Sequence, residues 1–259
     1  MIRLTRMTSL VAALVCMLPM RPAVAQPVPS EEPQLQPLTD PSQLVGTYHM
    51  LFHLVTEAKI PVLGTKEMVA EKDLLVTIRQ EGDKLVQHHT SCRVIAAGRQ
   101  GLIGTRFPEG FVEALPLKTY ELVLEQKEGR WSYRADLGHE LIGVQPDYVG
   151  ALPSDPTDPN VFDGDHDGKP GVTVQAVVPI FGAVDIYFLQ RAHTVLEGQV
   201  LGVDSIAGVA RVLDLDQRNL GASNKWFART PNLRPIAAGS TFKLTRISDI
   251  TTCAALLAL

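Results

Sequence analysis

From residue 44 onward the chain alternates apolar and polar positions in short runs. In TYELVLEQK (119–127), Tyr120, Leu122 and Leu124 fall on one face, with Glu121 and Glu125 on the other. The turn Glu128-Gly129 then leads into RWSYRADLG (130–138), where Trp131 and Tyr133 oppose Arg130, Ser132 and Arg134. Two alternating runs joined by a short glycine turn predict an antiparallel hairpin. A second is predicted from LLVTIR (74–79), the turn Glu81-Gly82-Asp83, and LVQHHTSCRV (85–94). VTVQAVV (172–178), VDIYFLQRAHTVL (184–196), IAGVARVLDL (206–215) and TFKLTRI (241–247) continue the β pattern. No long run has helical periodicity; short helices are expected only near Asp40–Leu44 or within 215–235.

Many strands separated by turn signals predict an all-β fold, an antiparallel barrel or sandwich. A barrel has the advantage of leaving no exposed edge. It also accommodates polar residues inside apolar strands: if Val86 and Val94 face inward, period two turns His88, Thr90 and Cys92 inward as well.

The N-terminal segment departs from this pattern. Arg3 and Arg6 precede an apolar run, Leu10–Met20, and Ala23-Val24-Ala25 is a small-x-small cleavage signal. Residues 1–25 have the form of a secretory signal peptide, and the run is shorter than the roughly 20 residues a membrane-spanning helix needs. The expected location is the periplasm or the extracellular space. Residues 26–43 are rich in Pro, Gln and Glu and are expected to form an extended or disordered leader. Residues 44–259 then form the β domain.

Loss of residues 1–25 removes three arginines and no acid, taking the net charge from −4 to about −7. That acidity argues against nucleic acid or an anionic membrane as the main partner, because both require a basic footprint. Two cysteines remain, Cys92 and Cys253. In an oxidising compartment they are expected to pair, two buried thiols being the alternative. A bridge closing so long a loop is worth roughly 4–5 kcal/mol in the loop-entropy model.

An internal echo links Ile60-Pro61-Val62-Leu63-Gly64 with Val178-Pro179-Ile180-Phe181-Gly182. It suggests two similar halves, 44–150 and 171–259, joined by an acidic loop over 155–171; chance similarity is the competing explanation. The Gly-x-aromatic opening at Gly46-Thr47-Tyr48, followed by a meander of hairpins in an exported chain, resembles the lipocalin-type (calycin) barrels. The tryptophan usual in that family is a tyrosine here, at position 48. The resemblance implies a barrel whose interior holds an apolar or amphipathic small molecule.

The acidic loop carries the most specific motif. In DGDHDGKPGVTV, Asp163, Asp165 and Asp167 alternate and Gly168 follows. Alternation brings hard carboxylate oxygens to one point, which suits Ca²⁺. The run resembles the calcium loops of EF-hands, dockerins and thrombospondin type 3 repeats. That resemblance implies ligands from Asp163, Asp165 and Asp167 and from the carbonyl of Lys169. Val174 stands where an EF-hand supplies a bidentate glutamate, and Pro170-Gly171 precludes a helix after the loop. The expected ion is therefore structural rather than regulatory, with Asp158 and Asp155 as candidate further ligands. A solvated acidic loop is the bland alternative.

No other stretch has a recognisable catalytic or phosphate-binding pattern. There is no G-x-S-x-G, and GRQGLIG (98–104) lacks the Lys-Ser/Thr of a phosphate loop. His49 and His53, four apart on a predicted strand, could share a face, and His88 could point inward. An enzyme on this scaffold would use those histidines; an envelope protein meeting another protein would need none. Trp226-Phe227 is expected to be a core plug rather than a lid. The leading expectation is an exported, calcium-binding β-barrel that binds an apolar or amphipathic small ligand.

Overall fold

Alternation places Tyr48, Met50, Phe52, Leu54, Thr56, Ala58 and Ile60 on one side of a single strand, β1 (Gly46–Ile60), and the other strands follow the same rule. The computed structural model describes residues 36–60, 63–99, 103–115 and 117–259. The predicted signal peptide, most of the leader, and Pro61 and Val62 of the internal echo lie outside the described residues. The remaining strands are β2 (Gly64–Glu81), β3 (Lys84–Gly98), β4 (Gly104–Arg106), β5 (Lys118–Lys127), β6 (Arg130–Ile142), β7 (Val172–Val178), β8 (Gly182–Gly202), β9 (Ser205–Ala222) and β10 (Asn232–Arg246). Two short α-helices are α1 (Glu109–Glu113) and α2 (Cys253–Leu256). The expected short helices near residue 40 and in 215–235 are 3-10 turns, Pro41–Leu44 and Lys225–Phe227.

The all-β expectation holds, and the sheet closes. The strand order is β2-β1-β10-β9-β8-β6-β5-β3, and β3 pairs back to β2, giving an eight-strand ring of antiparallel neighbours. Strands from before and after the acidic loop are interleaved, as in β1 with β10 and β6 with β8. Where all eight strands pair, closure leaves no edge.

One end of the barrel is solid. Tyr48, Tyr133, Phe242, Leu196, Ile206 and Leu244 are almost fully buried there, and the Tyr133 and Phe242 rings lie 5.3 Å apart. Arg246 locks this end. Its guanidinium sits 4.8 Å over the Tyr48 ring and donates to the carbonyls of Val203 and Val45 and to the Tyr48 hydroxyl. Burial raises the Tyr48 phenol to about 12, against the pull of Arg246. A Cβ on Gly46 would run into the Arg246 guanidinium, so any side chain there would displace this lock.

Toward the other end the wall changes strands. β3 turns from β5 to β4, β8 turns from β6 to β7, and β4 pairs with β7. β9 and β10 pair only over Ser205–Val209 and Thr241–Thr245. Beyond that point β10 bulges against β1 between Ile236 and Thr241, with Gly239 at φ +89°, and β9 and β10 part. The 223–231 connection occupies the gap: the Asn219 amide donates to the carbonyls of Phe227 and Arg229. This end is the open one.

The predicted bridge is present. Cys92 and Cys253 are bonded, with Cα atoms 5.0 Å apart, tying α2 to the outside of β3. Cys92 therefore does not face inward, and neither do His88 and Thr90. Leu85, Gln87 and His89 are the buried positions of lower β3, whereas Val94 and Ala96 face the interior higher up. A bulge reverses the parity between them: Leu74 pairs with Ser91 and Asp73 with Arg93, so Cys92 is the extra residue.

Candidate functional site: an apolar cavity above an acidic loop

Where β4 and β7 widen the ring, the interior is not filled. A cavity of about 280 Å³ extends from Phe52 up to the open end. Its walls are the inward positions of the strands: Leu54 and Ala58 on β1, Met68 and Ala70 on β2, Val174, Ala176 and Val178 on β7, Ile186 and Phe188 on β8. Small residues at Ala58, Ala70, Ala96, Ala176 and Ala192 leave the space; the bulky positions of the closed end fill it. One side is polar, with Gln190 and Thr194 on β8 and Gln217 and Asn219 on β9.

The floor carries charge. Lys72 and Glu140 line both this cavity and a smaller chamber below it, of about 30 Å³. Lys72 lies 5.8 Å from the Phe52 ring centre, and the Tyr120 hydroxyl donates to Glu140 at 3.3 Å. His89 borders the small chamber, its ring 4.9 Å from that of Tyr120. Burial lowers His89 to about 3, and the nearby charges of His88 and Lys72 push the same way. Its Nε2 has no hydrogen-bond partner among the described residues. A chamber of this size with several polar walls suits an ordered water. Burial also raises the Tyr120 phenol, reinforced by Glu140.

Phe107, Phe111 and Leu115, from the segment around α1, cover one side of the cavity. Phe111 packs 4.8 Å from Phe107 and 6.3 Å from Phe188. Under α1 lies the acidic loop. It leaves and re-enters the barrel at a pinch between Gly143 and Gly171, both at positive φ, where a Cβ on Gly143 would sit 2.9 Å from the Gly171 Cα. Gly110 of α1 packs against the Asp165 carbonyl so closely that a Cβ would lie 2.8 Å from it.

Asp163, Asp165 and Asp167 converge, each offering a carboxylate oxygen within 4.8 Å of the others. The loop and the start of β7 hold one oxygen of Asp163 and of Asp165 and both of Asp167, whose second oxygen accepts from the Thr173 hydroxyl at 2.5 Å. Gly168 N–H donates to Asp163 at 3.0 Å, Thr173 N–H to Asp165 at 2.8 Å, and Lys169 N–H to Asp167 at 2.7 Å. The second oxygens of Asp163 and Asp165 are shielded from water and have no hydrogen-bond partner among the described residues. Burial pushes the Asp165 carboxyl above the ordinary range, opposed by the Thr173 N–H and assisted by the charges of Asp167 and Asp163. Donor type and unmet oxygens fit a hard divalent cation.

The other nominated ligands sit differently. Asp158 accepts from the backbone and side chain of Asn160, closing its own turn, and Asp155 does the same with Thr157. Lys169 enters through its N–H, and its ammonium lies 5.7 Å from the Tyr187 ring. Val174 points into the barrel, which is the physical reason no carboxylate stands there.

His49 and His53 do share a face, and it is the outer one. Each holds a carboxylate: His49 Nε2 to Asp73 at 2.8 Å and His53 Nε2 to Glu71 at 2.6 Å, with Arg93 also on Asp73 at 2.7 Å. The expected plug divides: Phe227 is buried against Val178 and Val184, while Trp226 is exposed. Reasoning from the sequence missed Lys72, His89 and Glu140. Only alternation could have marked them, as polar residues at inward positions, and the β3 bulge hides the parity of His89.

Comparison with known proteins returned no matching family model, no matching curated protein and no matching solved structure.

Proposed function

We propose that this chain is an exported barrel that binds an apolar or amphipathic small molecule in its upper cavity. Ca²⁺ in the acidic loop serves as a structural ion. The observation that carries the reading is the apolar-walled cavity of about 280 Å³, with charge confined to its floor and rim. A concave apolar site with few convergent polar groups is the usual form of a small-molecule site. Lys72 and Glu140 at the floor, and the amides on β8 and β9, give a polar head somewhere to bond. Native mass spectrometry of the purified protein, before and after adding straight-chain alkanols and alkanoates, tests it. One-to-one adducts are expected; no adduct at millimolar ligand refutes the reading.

The calcium part rests on the two buried, unpartnered carboxylate oxygens of Asp163 and Asp165. With three carboxylates and a loop that leads into a strand, affinity in the weak extracellular class is expected, about 10⁻⁴–10⁻³ M. At 1 mM Ca²⁺ that stabilises the fold by about 0.4–1.4 kcal/mol. Calorimetric titration of the wild type and of Asp165→Ala/Asp167→Ala checks it; heat that survives the double change places the ion elsewhere.

A further inference from the structure

The open end carries an apolar rim that the barrel does not use. Ile180 and Phe181 form the tip of the β7–β8 hairpin, where Val178 pairs with Gly182. Ile180 is fully exposed, at φ +72°, a backbone region that disfavours β-branched residues. Phe181 packs 5.3 Å from Phe227, whose neighbour Trp226 is 56% exposed, and Leu63 joins the same cluster. Leu63 and Phe227 line the cavity at this end; Phe181 packs on Phe227, and Ile180 and Trp226 are their neighbours in the chain. A strained, exposed isoleucine and an exposed tryptophan, joined through the Phe181–Phe227 contact, are costly in water and call for a partner.

The charge around the rim says which partner. The chain as a whole is acidic, at −4. At the open end the sign reverses. Lys59 and Lys66 flank the β1–β2 turn, and Lys225 and Arg229 flank Trp226 and Phe227. Among the described residues none of these four is in an ion pair. The nearby carboxylates Glu57 and Glu67 are already engaged, by Arg234 at 3.0 Å and Arg99 at 2.9 Å. Asp185, four residues after Phe181, accepts from the Gln175 amide and keeps its charge, leaving the four free cations in excess. Cations surrounding a protruding apolar tip with an interfacial tryptophan match an anionic lipid surface: the apolar groups insert and the cations meet headgroups.

We propose that the open end of the barrel docks reversibly on an anionic lipid bilayer, through Ile180, Phe181 and Trp226, with Lys59, Lys66, Lys225 and Arg229 against the headgroups. The whole-chain charge, which argued against a membrane partner, is an average over a molecule whose cations gather at one end. Docking there sets the mouth of the cavity against the lipid, so a ligand passes between bilayer and barrel without crossing water. The proposal extends the ligand-binding reading but is tested without a ligand.

Co-sedimentation with phosphatidylcholine vesicles, with and without phosphatidylglycerol, reads it directly. Binding is expected to be at least about tenfold stronger with the anionic lipid and to fall by a similar factor in high salt. Ile180→Asp/Phe181→Asp should lose about tenfold or more, since both changes are at an exposed turn. Brominated lipid should quench Trp226, measured in a Trp131→Phe background, and leave Trp131 of the closed end unquenched in a Trp226→Phe background. No binding to anionic vesicles, binding unaltered by the double change, or quenching of Trp131 instead would overturn the proposal. Loss of alkanol binding in solution with vesicle binding intact would sink only the cavity reading.

Discussion

Filling the cavity gives the sharpest test of where a ligand sits. Ala176 lies on β7 and lines the cavity, level with Val184 on β8 and, across Thr105 of β4, with Ala96 on β3. A cavity of about 280 Å³, at roughly 30 Å³ for each water-sized or methylene-sized unit, accepts a chain of about nine methylenes. Each buried methylene contributes about 0.8 kcal/mol, close to fourfold in affinity. Calorimetric titration with alkanols of increasing length should therefore show affinity rising about fourfold per carbon and levelling off near nine. The phenyl ring of Ala176→Phe takes the space of about four methylenes, so the longest fitting ligand should lose about 3 kcal/mol, roughly 150-fold. The plateau should move to shorter chains by the same amount. Stability should stay within about 1 kcal/mol of wild type, because the ring fills space rather than displacing packed atoms. Unchanged affinity and an unchanged plateau would refute the cavity as the site. A loss of stability above about 3 kcal/mol would show that the space is not open.

Other expectations concern the frame around the site. Arg246→Ala removes the guanidinium from over Tyr48 and strips donors from several carbonyls; a loss of about 2–4 kcal/mol is expected, lowering Tm by roughly 5–12 °C in calorimetry. A change under about 0.5 kcal/mol would remove Arg246 as the anchor of the closed end. Cys92→Ser/Cys253→Ser should cost about 2–5 kcal/mol in urea unfolding under oxidising conditions, and reductant should bring the wild type to the same midpoint. His89 is held neutral by burial, with its folded value at about 3. The unfolded chain takes up a proton near pH 6.5 that the folded chain refuses. Stability should thus fall as pH drops from about 6.5 toward 3, by up to about 1.4 kcal/mol per unit from this group. Urea unfolding of wild type and His89→Leu at pH 7, 6 and 5 checks it: a gap between them independent of pH contradicts a neutral buried His89.

Alternation in 74–94, 119–138 and 184–215 was enough to read an antiparallel β fold, because each half-buried strand imposes period two locally. The pairing of Cys92 with Cys253 followed from the two cysteines after residue 25 and an expected oxidising compartment. The convergence of Asp163, Asp165 and Asp167 was legible from spacing, since a tight loop brings alternate side chains to one side over a few residues. What the sequence did not contain was long-range register. One bulged residue, Cys92, turned His88 and Thr90 out and His89 in, and no local pattern announces a bulge. Ring closure, the parting of β9 from β10 and the turn of β3 and β8 to new neighbours depend on pairings between residues far apart in the chain. Those pairings decide which small inward residues face one another, and so create the cavity. They also gather Ile180, Trp226 and four cations at one end of an acidic chain, a distribution that composition averages away.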